Sequence, residues 1–306
     1  MFTRHRTYSS EDAIRDSAWR PRPISLEDLV ESADLQVRMD RKYFVPAATF
    51  RTLIDELGPE FTVLEIDGRR TFDYESVYFD TAELLTYRAH LQGRRRRFKV
   101  RTRTYLNSGL CMFEVKTEGV RENTVKGRIP HPLTRRGSLT LEAYTFLCQT
   151  LREALDHRAP EGLRPVVTNL YRRTTFASPS AGARLTCDVS VSCHSGRASM
   201  ADTGTHVLVE SKSANGASKA DLILRRLGVR PASISKYCIG VAALYPEVPC
   251  NPWQASLLRY FEPPWLAPPV RDTRSSEPDW AKRPRAALDD APELCGSSGL
   301  RPFVPV

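Results

Sequence analysis

One short segment carries a cation at every second position. Residues 94–105, RRRRFKVRTRTY, place Arg95, Arg97, Lys99, Arg101 and Arg103 in strict alternation. In a strand, residues two apart share a face, so all five would point the same way. The other face carries Phe98, Val100, Thr102 and Thr104 after Arg94 and Arg96. Guanidinium groups offer a planar fork of donors and ammonium groups a compact charge; both suit phosphoryl oxygens. Taken alone, such a strand reads equally well as a solvated surface ladder.

Other segments repeat the pattern. Arg38, Asp40 and Lys42 share one face, and Val37, Met39, Arg41 and Tyr43 the other. Glu114, Lys116 and Glu118 alternate with Phe113, Val115 and Thr117. Lys126 pairs with Arg128, Tyr171 with Arg173, Glu210 with Lys212, and Asp188 with Arg184. Several strands that are polar on one face suggest a sheet curled around a charged interior, and a barrel lumen has that alternation. Charge in such a lumen needs water and a charged ligand. Glu114 and Glu210 would oppose an anion unless a cation lay between. Mg2+ or Mn2+ fits, because hard divalent ions take carboxylate and phosphate oxygens together.

The elements that must position these groups follow from periodicity. Strands are expected at 36–45, 72–79, 94–106, 111–118, 120–129, 166–176, 184–192 and 205–213. Helices are expected at 47–58, 82–91, 138–156 with Ser138 as cap, 218–227 and 236–245, with a short one near 24–30. Many strands with intervening helices argue for α+β. The domain plan is an N-terminal arm at 1–34, read as loose, a tunnel domain at 35–250, and a Pro-rich, disordered tail at 262–306.

The chain has 306 residues, 45 Lys and Arg against 36 Asp and Glu, and a formal charge of +9, which favours anionic partners. Seven scattered cysteines without a CxxC pair argue against a disulfide scaffold or structural zinc. No run approaches a spanning helix and the opening lacks a secretory signal, so no transmembrane segment and a cytoplasmic location are expected. The histidines, at 5, 90, 131, 157, 194 and 206, show no metal or triad spacing.

The segments RMDRKYFVP, SVYFDT, FKVRTRTY, FEVKTEG, VKGRI, NLYRRTTF, LTCDVSV, VLVESKS and SKYCIG, in that order over about 35–246, resemble the VTC domain. This is the polyphosphate polymerase domain of the triphosphate tunnel metalloenzyme superfamily, with CYTH domains as cousins. The resemblance implies an antiparallel β-barrel tunnel with surrounding helices. It implies phosphate ligands at Lys42, Arg101, Arg103, Lys116, Lys126, Arg128 and Arg173, with Lys99, Lys212 and Lys236 in the same shell. It also implies a Mn2+ or Mg2+ carboxylate, first Glu210 and then Glu114. The catalytic set is then Arg101, Arg103, Lys116, Glu210 and Lys236. Tyr78 and Asp80 match a motif that orders the wall, and Tyr171 fits either role. Two departures are Asp40, where the family carries a glutamate, and the four-arginine run at 94–97.

The implied reaction moves the γ-phosphoryl group of ATP onto a growing polyphosphate chain. Phosphoryl transfer needs positioning and charge neutralisation more than a covalent nucleophile. The alternatives are a triphosphatase or nucleoside triphosphate hydrolase in the same site, separated from the polymerase by whether water reaches the phosphoryl group, and a non-catalytic polyphosphate-binding module. Nucleic-acid binding is the reading from outside this group. The charge supports it, but no specific nucleic-acid motif is present and interleaved carboxylates oppose it. The residues identify no protein partner.

Overall fold

The computed structural model describes residues 8–31, 39–118, 124–196, 198–213 and 217–262. Period-two alternation produces the strands: β1 (Arg22–Ile24), β2 (Met39–Pro46), β3 (Thr62–Leu64), β4 (Phe72–Asp80), β5 (Arg97–Tyr105), β6 (Leu110–Glu118), β7 (Thr124–Pro130), β8 (Arg164–Ser178), β9 (Ala183–Ser195), β10 (Ala198–Ala201) and β11 (His206–Ser213). Period-3.6 segments give α1 (Ser10–Ala18), α2 (Leu26–Glu31), α3 (Ala47–Leu57), α4 (Leu85–Leu91), α5 (Leu141–Leu155), α6 (Lys219–Arg226), α7 (Lys236–Leu244) and α8 (Asn251–Tyr260). The tail from 263 onward, Arg38, and part of the 120–129 strand lie outside the described residues.

The main path across the sheet is β2-β11-β9-β8-β4-β5-β6-β7, with antiparallel neighbours throughout. The expected barrel is not closed. Among the described residues β2 pairs only with β11, and β7 only with β6. Alternation reports which face a side chain takes, not whether the last strand finds the first. Both end strands also finish in proline, Pro46 and Pro130, which brings no N–H to a ladder and suits an edge. The sheet is nonetheless curled. Laid flat, five strand spacings of about 4.8 Å would hold β2 about 24 Å from β5. Yet the Lys42 ammonium on β2 helps lower the pKa of Lys99 on β5. The architecture is α+β around an open trough.

Helices cover the convex face. α3 and α6 bury Phe50, Leu53, Ile54 and Leu224 against Val45, Leu185, Cys187, Val189 and Val209. α1 joins them through Ala13 and Ile14. Its start is locked by a reciprocal cap between Ser9 and Asp12, so the arm read as loose is helical at Ser10–Ala18. α5 lays Ala143, Leu147, Leu151 and Leu155 over Phe98, Val100, Phe113 and Val115. Burying each such leucine contributes roughly 1.5–3 kcal/mol. The α5 cap is Thr140, whose hydroxyl accepts from the Ala143 N–H, not Ser138.

Two local features bear on the site. The arginine run does not all enter the sheet. Gly93, at φ 62°, ends α4, and Arg94 N–H donates to Ala89 O at 3.0 Å. That turn consumes residues 94–96, so Arg95 leaves the cation row and β5 begins at Arg97. In β9 the pairing with β8 shifts near Ser190, which has φ 53°. Below it Cys187 and Val189 face the convex core; above it Val191 and Cys193 face the other side.

α7 is apolar nearly all round and packs on the concave side, burying Tyr237, Ile239 and Val241. A Cβ on Gly240 would lie 2.7 Å from Val167 Cγ1 and 3.3 Å from Cys193 Sγ. Gly240→Ala is therefore expected to destabilise the fold by about 1–3 kcal/mol through overpacking. Gly137→Ala, where a Cβ meets nothing within 4 Å, should leave the thermal midpoint near wild type. Equal melting curves for the two variants would contradict this packing.

Candidate functional site

Strand register puts every expected phosphate ligand of the sheet on the concave face. Lys99, Lys116 and Lys126 form one cross-strand row, and Arg101, Glu114 and Arg128 the next. Arg103 follows beside Ser76 and Asn169. Arg173 lies opposite Asp188, and Glu210 lies between Lys42 and Thr186, with Lys212 two residues on. Lys236 reaches the same face from the N-terminus of α7, where its Nζ hydrogen-bonds Asp188.

Two buried carboxylates hold this cation field together. Glu114, 2% exposed, accepts from Arg101 at 2.7 Å and lies 3.4 Å from Lys126 Nζ and 3.7 Å from Arg103. Burial alone would raise its pKa, but Arg101, Arg103 and Lys126 outweigh burial and hold it well below the usual carboxylate range. Asp188 accepts a bidentate pair from Arg173, at 2.6 and 2.8 Å, besides the Lys236 bond. Burial works against its charge, yet Arg173 and Lys236 bring its pKa down to about 2. Sequence reasoning put Asp188 on the polar face without giving it this task. Its signal is the alternation Arg184, Thr186, Asp188.

An aromatic layer lies under the cations. Tyr171 stacks on Tyr74 at 5.2 Å, and Tyr105 follows at 5.1 Å. Arg173 lies 5.2 Å and Lys236 4.5 Å over the Tyr171 ring. Burial raises the Tyr171 pKa, but Arg103, Arg173, Lys236 and Arg101 together pull it below its ordinary value. Tyr78 Oη accepts from Arg101 at 2.8 Å, and its ring stacks on Tyr237. Tyr237 donates to Asp80, which also accepts from the Thr86 and Tyr87 N–H groups at the start of α4. Asp80 thus ties α4 to α7.

The two expected metal ligands differ in their surroundings. Three cations stand within 4 Å of Glu114 and offset its charge. Glu210 is partly exposed and more loosely held, 3.2 Å from Lys212 and 3.8 Å from Lys42. Burial opposes its charge, but Lys212, Lys42, Arg173 and Lys236 keep it ionised. It fits a single-carboxylate site for Mg2+ or Mn2+ that takes its remaining ligands from phosphate and water. Among the described residues no group of three or more His, Cys, Asp or Glu side chains converges on such a site.

The VTC domain family model matches residues 37–245. No curated protein matches significantly. Among solved structures, a candidate adenylyl cyclase of Hippeastrum, described with a dominant triphosphatase activity, is 14% identical at a TM-score of 0.43, covering 67% of this chain and 96% of its own. A candidate adenylate cyclase of Vibrio parahaemolyticus is 14% identical at 0.35, covering 63% and 82%. A protein of Pyrococcus horikoshii OT3 is 14% identical at 0.36, covering 63% and 92%. No described helix is long and apolar enough to cross a membrane.

The site makes two pH predictions. Burial, with Arg173, lowers Lys212 to about 8 against the pull of Glu210. Lys126 is drawn up by Glu114 but brought to about 7 by burial and its arginine neighbours. Bound triphosphate would restore both charges, so binding at pH 8 should take up protons. Calorimetry in buffers of different ionisation enthalpy reads this, and affinity should fall from pH 7 to pH 9. Asp188, depressed, stabilises the fold above its unfolded pKa of about 3.9 and loses that contribution as pH falls through about 2. The stability gap between wild type and Asp188→Asn should therefore shrink between pH 4 and pH 2, as read by denaturation curves.

Proposed function

The chain belongs to the VTC domain family, and we propose that it binds a linear triphosphate along the trough and transfers the terminal phosphoryl group to water with a divalent metal. The observation that carries this reading is the convergence of Arg101, Arg103, Arg173 and Lys236 on Tyr171, beside the partly exposed carboxylate of Glu210. Fixed donors of this kind bind a phosphate chain and stabilise charge that spreads over the transferred oxygens. Arg101 is held by Glu114 and Tyr78, and Arg173 by Asp188, so their orientation is set before substrate arrives. Lys42 and Lys212 flank Glu210 and would take oxygens at the metal end. A bound Mg2+ or Mn2+ at Glu210 supplies Lewis acidity and charge neutralisation.

Among the described residues β2 and β7 do not pair, and an unpaired seam there favours water as acceptor. Family membership favours a second reading, in which the acceptor is the end of a polyphosphate chain and the protein is a polymerase. An ionised phosphate acceptor needs no protein base, so the same residues serve either outcome.

Purified protein with tripolyphosphate or ATP and Mn2+ should release free phosphate. Glu210→Ala should lower kcat by about 100-fold or more, the scale seen when one transition-state stabiliser is removed, with triphosphate binding largely retained. Long polyphosphate as the product would select the polymerase. Tight binding without turnover would leave a binding module, and no binding of triphosphate would overturn the proposal.

A further inference from the structure

The arginine run is only partly absorbed by the site. Arg97 enters β5 and pairs with Glu118. Arg94, Arg95 and Arg96 are all exposed. Among the described residues none of the three lies within salt-bridge distance of a carboxylate. Three adjacent like charges repel one another, so leaving them unpaired has a cost that a bound polyanion would remove.

Their place in the fold gives them a partner. The run ends where β5 begins, two residues before Lys99, which stands in one row with Lys116 and Lys126. The loop is tied down at both ends: Arg94 N–H donates to Ala89 O, and Arg97 Nη1 donates to Arg94 O at 2.7 Å. The three exposed arginines therefore lie on a held backbone just before the end of β5 that carries Lys99. Around Glu210, Lys212 instead faces Asp40 and Glu210. The surroundings of Glu210 thus have mixed charge, whereas among the described residues no carboxylate stands against Arg94–Arg96, and the Arg94 side chain donates to the neutral Gln92.

The geometry points to an accessory anion-binding surface at Arg94–Arg96, which takes the part of an inorganic polyphosphate chain too long for the trough. The inference rests on the reading that the trough itself holds phosphate chains. A polyphosphate suits the surface better than a nucleic acid. Single-stranded nucleic acids need aromatic platforms for their bases, and the aromatic of this segment, Phe98, is buried in the convex core. A chain of bare phosphates needs only charge.

The test compares the full chain with the triple variant Arg94→Gln, Arg95→Gln, Arg96→Gln, using tripolyphosphate, long-chain polyphosphate and single-stranded DNA of matched charge. The variant should bind long-chain polyphosphate about tenfold or more weakly at low salt. Its log–log salt slope should be shallower by about two, since each lost contact on a single-stranded polyanion contributes about 0.7. Tripolyphosphate affinity and thermal midpoint should match wild type. Unchanged affinity for the long chain would overturn the proposal. So would an equal loss on tripolyphosphate, or tighter binding of DNA than of polyphosphate. Failure of wild type to bind tripolyphosphate would sink the trough reading separately, because the arginine-dependent binding of the long chain is read in its own titration.

Discussion

The structure depends on keeping many cations on one face of a sheet. Removing them from water without counter-charges would cost several kcal/mol for each ion. Glu114 and Asp188 make the arrangement stable. Each sits directly across from an arginine, Arg101 or Arg173, and each gathers at least one further cation. The two carboxylates leave the face net positive. They anchor the guanidinium groups while donors remain for a second anion.

α7 joins the apolar half of the molecule to the charged half. Its buried faces need the close approach that Gly240 permits, and its first residue brings Lys236 to Asp188. Tyr237 carries the connection onward, to Asp80 on one side and by stacking to Tyr78 on the other. Tyr78 in turn accepts from Arg101. A packing contact under the helix is therefore linked by a short chain of side chains to the orientation of an arginine on the opposite wall.

Much of this was legible in the sequence, because alternation with period two is a direct consequence of strand geometry. It placed Lys42, Arg101, Arg103, Lys116, Arg173 and Glu210 on one side, where register puts them. It could not say that β2 and β7 stay apart, since closure is decided by backbone edges and not by side-chain faces. It overran at Arg95 because a helix stop at Gly93 needs residues before the next strand can begin. It missed α1, whose cap is a reciprocal pair of short polar side chains in a segment poor in large apolar residues. Asp188 was visible as a strand residue, but its bond to a lysine 48 positions away exists only once α7 docks.

The irregularity at Ser190 has an evolutionary consequence. Below it, β9 sends even-numbered residues such as Asp188 into the trough; above it, odd-numbered residues such as Val191 and Cys193 lie beneath α7. One additional residue lets a single strand carry two independent phases. The covered end and the charged end can then drift in sequence without forcing each other out of step. Loss of that residue would turn one half of the strand inside out, so lineages built on this design should tolerate substitutions along β9 far more readily than a change in its length.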